Sequence, residues 1–151
     1  EALLLHQERG QHYGAGIKLA ELGLIAQQSG DGALAARRYG ESLRLISELR
    51  HTITINIALA GLAGLAADQD RPDQAARLLG AIAGIHERTG AALQALWQPF
   101  QQQAQRAAGE KLGEERLASL MEAGKNLPLE DAVHEAIILA DALPNVIPSN
   151  E

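Results

Sequence analysis

The chain repeats itself after 40 residues, and that period constrains the fold more than any single motif. Displaced by 40 positions, Glu1, Leu3, Leu5 and Glu8 fall on Glu41, Leu43, Leu45 and Glu48. Ile17, Leu19, Ala20, Leu22 and Ala26 fall on Ile57, Leu59, Ala60, Leu62 and Ala66. Ala35, Ala36, Arg37 and Gly40 fall on Ala75, Ala76, Arg77 and Gly80, and no gap is needed anywhere. Most matched positions recur at spacings of three and four, the interval at which a helix returns to one face. A unit of this length is one helical hairpin, which buries its apolar face only by stacking on neighbours. The expected fold is all-α: stacked antiparallel helical hairpins with about seven to eight helices.

Within each unit the pattern reads helix, short turn, helix. Leu19, Leu22 and Ala26 share a face of a first helix, which Ser29-Gly30-Asp31-Gly32 ends. Asp31 suits an N-cap, and the next helix carries Leu34, Ala35, Tyr39, Leu43 and Ile46 inward. In the second copy Asp70-Arg71-Pro72-Asp73 forms the turn, with Pro72 in a first helical turn. Ala75, Leu79, Ile82 and Ile85 then continue the buried stripe. The expected organisation is one domain over 1–143, starting with the second helix of a truncated repeat over 1–10. Repeats over 11–50 and 51–90, a divergent repeat over 91–125 and a capping helix over 128–143 follow. Pro144 and Pro148 end the order, so 144–151 is expected to be a disordered tail. Because the chain opens in mid-pattern, it is expected to be a piece of a longer protein.

Aromatic residues make up 3% of the chain, too few for the strands of a sandwich or barrel. Thirteen basic and 19 acidic residues leave a net charge of −6, which argues against direct nucleic-acid binding. Arg37, Arg38 and Arg44 are accounted for as a solvated helix face. With no cysteine, disulfides and thiolate metal sites are excluded, and a cytoplasmic location fits. The uncharged run from Ile53 to Ala67 is shorter than a membrane span and reads instead as a central core helix.

Leu22-Gly23, Ala26, Gly30-Asp31, Ala35, Tyr39 and Ser42 together resemble a tetratricopeptide repeat. Leu62-Ala63, Ala66, Ala75, Leu79 and Ile82 fill the same places in the second copy. The pattern departs from that family in several ways. Leu19 and Leu59 stand where it carries Trp, Ala26 and Ala66 where it carries Tyr, and the period is longer. The resemblance implies a right-handed α-solenoid with a small-residue helix contact and an aromatic between hairpins. The series Ala75-Ala76-Arg77-Leu78-Leu79-Gly80, Leu112-Gly113-Glu114-Glu115, Glu122-Ala123-Gly124-Lys125 and Leu127 to Val133 is similar to the C-terminal end of large bacterial transcriptional regulators. Those proteins join an effector module and a nucleotide-hydrolysing switch to a helical-repeat tail. The resemblance implies a sensor or scaffold segment without the switch itself.

No catalytic pattern emerges. His86-Glu87 and His134-Glu135 lack a second histidine four residues on, so two ligands cannot converge on one helix face. Gly14 and Gly16 lack the third glycine and preceding strand of a dinucleotide site, and Gly124-Lys125 lacks the rest of a phosphate loop. The pairs Glu114-Glu115 and Glu130-Asp131 suit helix starts. No enzyme activity, cofactor or metal is expected.

The leading expectation is a protein-interaction or regulatory module whose partner is a protein, a peptide or another domain of the parent chain. The resemblance places its groove-facing positions at Ile17, Ala20, Leu24, Gln27 and Gln28, and at Ile57, Ala60, Gly64, Ala67 and Asp68. Charge reversal at Gln27 or Gln28 is expected to weaken binding without unfolding the chain. Small-effector sensing is a second expectation, with His12, Tyr13, Trp97 and Gln101 as candidate polar groups. A third is homo-oligomerisation through Trp97, Phe100 and the glutamines from Gln101 to Gln105.

Overall fold

The computed structural model describes residues 2–93 and 95–143, without the side chains of Ala2 and His6. The tail expected over 144–151 lies outside the described residues. Seven α-helices and no strand occur among them: α1 (Ala2–Gln28), α2 (Gly32–Ile46), α3 (Thr52–Asp68), α4 (Pro72–Thr89), α5 (Gln98–Leu112), α6 (Glu114–Lys125) and α7 (Leu129–Ala142). The described residues form an all-α fold, as expected.

The 40-residue period is visible in the backbone as punctuation. Gly30 and Asp70 both adopt left-handed conformations at the α1–α2 and α3–α4 turns. Arg50 and Gly90 do so at the ends of the two units. Asp31 caps α2 by accepting from the Leu34 N–H at 3.1 Å, and Pro72 opens α4. The break does not recur at residue 10. Gly10 is not left-handed and no capping side chain follows it, so Ala2–Gln28 forms one 27-residue helix. The separate helix expected over 1–10 is therefore absent.

Helix α3 is the centre of the molecule. Every residue from Thr54 to Ala66 is buried, because α1, α2, α4, α5 and α7 all pack against it. Its neighbours α1 and α2 meet it through Tyr39, which is fully buried. The ring lies between Gly23 of α1 and Gly61 of α3, and a Cβ at either glycine would fall on it. On α1, Ala26 is buried as expected and Leu19 half-buried, but Leu22 is exposed.

Past α4 the pairing pattern changes. The main partner of α6 is α4 rather than its sequence neighbour α5. Gly80 and Gly84 of α4 face the Met121 and Lys125 carbonyls, while Gly124 faces the Arg77 carbonyl, leaving no room for a methyl group. Helix α7, expected as an end cap, instead runs back across α2, α3 and α4. Small residues let it approach, with Gly40 beneath Ala140. Its buried Ala132, Val133, Ala136, Leu139 and Ala140 hold it there, and ion pairs flank the contact: Arg77 donates to Glu135 through two nitrogens at 3.0 and 2.6 Å, and Arg44 donates to Asp141 at 2.6 Å.

Gly61→Ala should lower thermal stability by about 1–3 kcal/mol through overpacking against Tyr39. Gly124→Ala should be at least as damaging, because its obstacle is backbone that cannot change rotamer. Calorimetric melting of both variants tests this; a melting temperature equal to that of the parent chain would contradict the packing described.

Candidate functional site

An open groove of about 540 Å³ lies between α1 and α3, closed at one side by the segment leading into α5. Buried Ala20 and Leu24 from α1, Ile57 from α3, and Trp97 form its floor. Tyr13, Ile25, Ile53 and Leu96 stand exposed around its rim, Ile25 at 57% and Leu96 at 58%. Bulky apolar side chains left in water around an apolar cavity mark an interaction surface.

One end of the groove is polar but neutral. The Tyr13 hydroxyl and His51 Nε2 share a hydrogen bond of 2.8 Å, and His51 Nδ1 shares another of 2.7 Å with the Thr54 hydroxyl. The two rings meet edge to face with centroids 4.4 Å apart. Withdrawal from water lowers the His51 pKa, so the neutral imidazole is favoured. The one carboxylate along the lining is Glu21, approached loosely by Lys18 at 3.7 Å.

The same three segments line a second, smaller depression of about 200 Å³ further along. Gln27 of α1, Gly64, Ala67 and Asp68 of α3, and Phe100, Gln103 and Ala104 of α5 surround it. Gln27 is held from behind: the Tyr39 hydroxyl donates to its Oε1 at 2.7 Å, and its Nε2 donates to the Gly61 carbonyl at 3.3 Å. Burial raises the Tyr39 pKa, with the neighbouring Trp97 indole opposing the shift, although Trp97 Nε1–H makes no hydrogen bond. Partial burial also raises the Asp68 pKa.

The positions expected along a binding face are thus distributed. Ile17, Ala20, Leu24 and Ile57 line the large groove, and Gln27, Gly64, Ala67 and Asp68 line the small one. Ala60 is fully buried inside the core, and Gln28 is exposed outside both depressions. Gln27 is a strut between helices as well as a surface residue, so its charge reversal would disturb the fold. Tyr13 and Trp97 do meet at the groove, whereas His12 and Gln101 do not join them. Trp97 is buried and Phe100 half-buried, which removes the two aromatics from the oligomer face expected around α5.

Sequence reasoning missed Ile25, Ile53 and Leu96 on the rim and His51 at the end. Ile25 follows Ile17 and Glu21 at four-residue steps, a signal that was readable. Leu96 lies in irregular chain, where no periodicity points to it. No cluster of three or more potential metal ligands occurs among the described residues, and no described helix is long and apolar enough to cross a membrane.

Two measurements follow from this geometry. Gln27→Leu leaves the buried Tyr39 hydroxyl without its acceptor and should cost about 1–3 kcal/mol. Combining it with Tyr39→Phe should cost less than the sum of the single changes, which a denaturation double-mutant cycle reads directly. For His51 the folded-state pKa lies below the unfolded value of 6.5. Its stabilising contribution is therefore complete above that value and is lost as pH falls through the folded pKa. Melting temperatures across this window should fall more steeply for the parent chain than for His51→Gln.

Comparison with protein-family models, curated proteins and solved structures returns no match to this chain, so its functional reading rests on the geometry above.

Proposed function

We propose that this chain is a non-catalytic recognition module whose groove between α1 and α3 receives the apolar face of a helical segment. That segment belongs to a protein partner or to another domain of the same polypeptide. The observation that carries this reading is the ring of exposed Tyr13, Ile25, Ile53 and Leu96 around a floor of buried aliphatic side chains and Trp97. An amphipathic helix laid into an apolar groove exploits such a rim on both flanks. The polar groups of the lining, Tyr13, His51 and Thr54, gather at one end and hydrogen-bond to one another, leaving the middle of the groove to aliphatic contact.

The wider reading is a right-handed solenoid of the tetratricopeptide kind, acting as sensor or scaffold in a larger bacterial transcriptional regulator. Its support is the recurrence of left-handed turns at 30 and 70 and at 50 and 90, and the packing of α3 against both α1 and α5. The groove volume also lies within the range of small-molecule sites, and the Tyr13–His51 pair would supply a polar handle there. Effector binding is therefore the second reading.

Trp97 is the only tryptophan of the chain and lies on the groove floor, so its emission reports occupancy. Titration with designed amphipathic helical peptides should shift that emission saturably, and Ile25→Glu should abolish the shift while leaving the circular dichroism spectrum unchanged. No saturable change with any such peptide would refute helix recognition. A rise in melting temperature with small apolar ligands alone would favour the effector reading.

A further inference from the structure

We propose that the helix received by the groove is basic: beyond its aliphatic stripe it carries a lysine or arginine that pairs with Asp68. This rests on the helix-binding reading and adds the partner's charge and its register.

The two depressions share no lining residue but follow one another along the same walls, α1, α3 and the Leu96–Ala104 segment, so one helix laid along α1 would cross both. From Tyr13 to Gln27 the α1 wall rises through 14 residue steps, ~21 Å, or about four helical turns. The Tyr13 end is polar but neutral through His51 and Thr54, the middle turns are apolar with Glu21 on the rim, and the last turn is polar with Gln27, Gln103 and Asp68. Both charged residues of the two linings are carboxylates, in a chain of net charge −6. A partner with acidic residues at these places would be repelled, whereas a basic one is complementary.

Asp68 itself is poorly served by the fold. It stands in the last turn of α3, where the negative end of the helix dipole opposes a carboxylate. Its carboxylate has no cationic partner among the described residues, unlike Asp70 and Asp73, which pair with Lys111 and Arg116. Although the residue is exposed at the surface, partial desolvation of its carboxylate raises its pKa, a direction that a docked cation would reverse. Glu21 has only the exposed contact with Lys18, which leaves its outer oxygen open to a second cation.

The test uses the intact chain and synthetic four-turn helices with one aliphatic stripe, ending in lysine or in glutamate on the groove-facing side. Versions with the charge at either end of the peptide cover both docking polarities. Calorimetry should give the lysine peptide at least about tenfold tighter binding, a preference that added salt weakens. Asp68→Asn should remove most of that preference, and Asp68→Lys should reverse it toward the glutamate peptide. Lysine is favourable at a helix C-terminus, so this variant should fold, which circular dichroism verifies. Equal affinity for the two peptides, or a lysine preference that survives Asp68→Lys, overturns the inference while leaving helix recognition standing. Failure of every peptide to bind sinks both. A chain that sediments as a dimer and binds peptide only on dissociating would assign the groove to a second copy, and also overturns the basic-partner assignment.

Discussion

Tyr39 has a glycine on each side, and the three helices it joins meet at the separation its ring allows. An aromatic of this kind withdraws roughly 150–250 Å² from water. It does so here only because Gly23 and Gly61 offer bare backbone to its two faces. Its hydroxyl, too deep to reach solvent, is satisfied by Gln27, whose amide group continues to the Gly61 carbonyl. One side chain from α1 thus closes a circuit between α2 and α3. Without this circuit the α1–α3 distance would not be set, and the groove lies in that gap.

Much of this arrangement was legible in the sequence. The spacing of Ala35, Tyr39, Leu43 and Ile46 announced the buried face of α2, and all four are fully buried. The apolar run from Ile53 to Ala67 announced a helix surrounded on all sides, as α3 is. Local chemistry at Asp31 and Pro72 located the starts of α2 and α4. The failures share a cause: each needed information about distant chain. Matching residues 1–10 to 41–50 reproduced the side-chain pattern but not the left-handed residue that ends the later copy, so one long helix was divided. The stripe of α7 announced a buried face, but not that the face would lie on α2, α3 and α4, with Arg44 and Arg77 of distant chain beside it.

The candidate site was legible only in its α1 and α3 walls. Those walls lie on periodic helices, so the positions that face one another could be counted out. The third wall, Leu96 and Trp97, comes from chain with no period, and its contribution depends on the route taken between Gly90 and Gln98. The same irregularity explains why the sequence placed Trp97 on an oligomer face. Its indole enters the core beside Tyr39 instead of covering α5. Gln27 illustrates a different limit. A glutamine on a solvent-side position reads as surface until the buried hydroxyl behind it is known.

The course of α7 bears on how such a molecule comes apart. Hairpins in a simple row touch only their neighbours, so they can open from an end, one unit at a time. Here the Arg44–Asp141 and Arg77–Glu135 pairs tie the last described helix to both the first hairpin and the second. Because α7 packs across α2, α3 and α4, its detachment uncovers parts of both hairpins together. That shared cover couples the stability of the two hairpins, which units touching only their neighbours would lack.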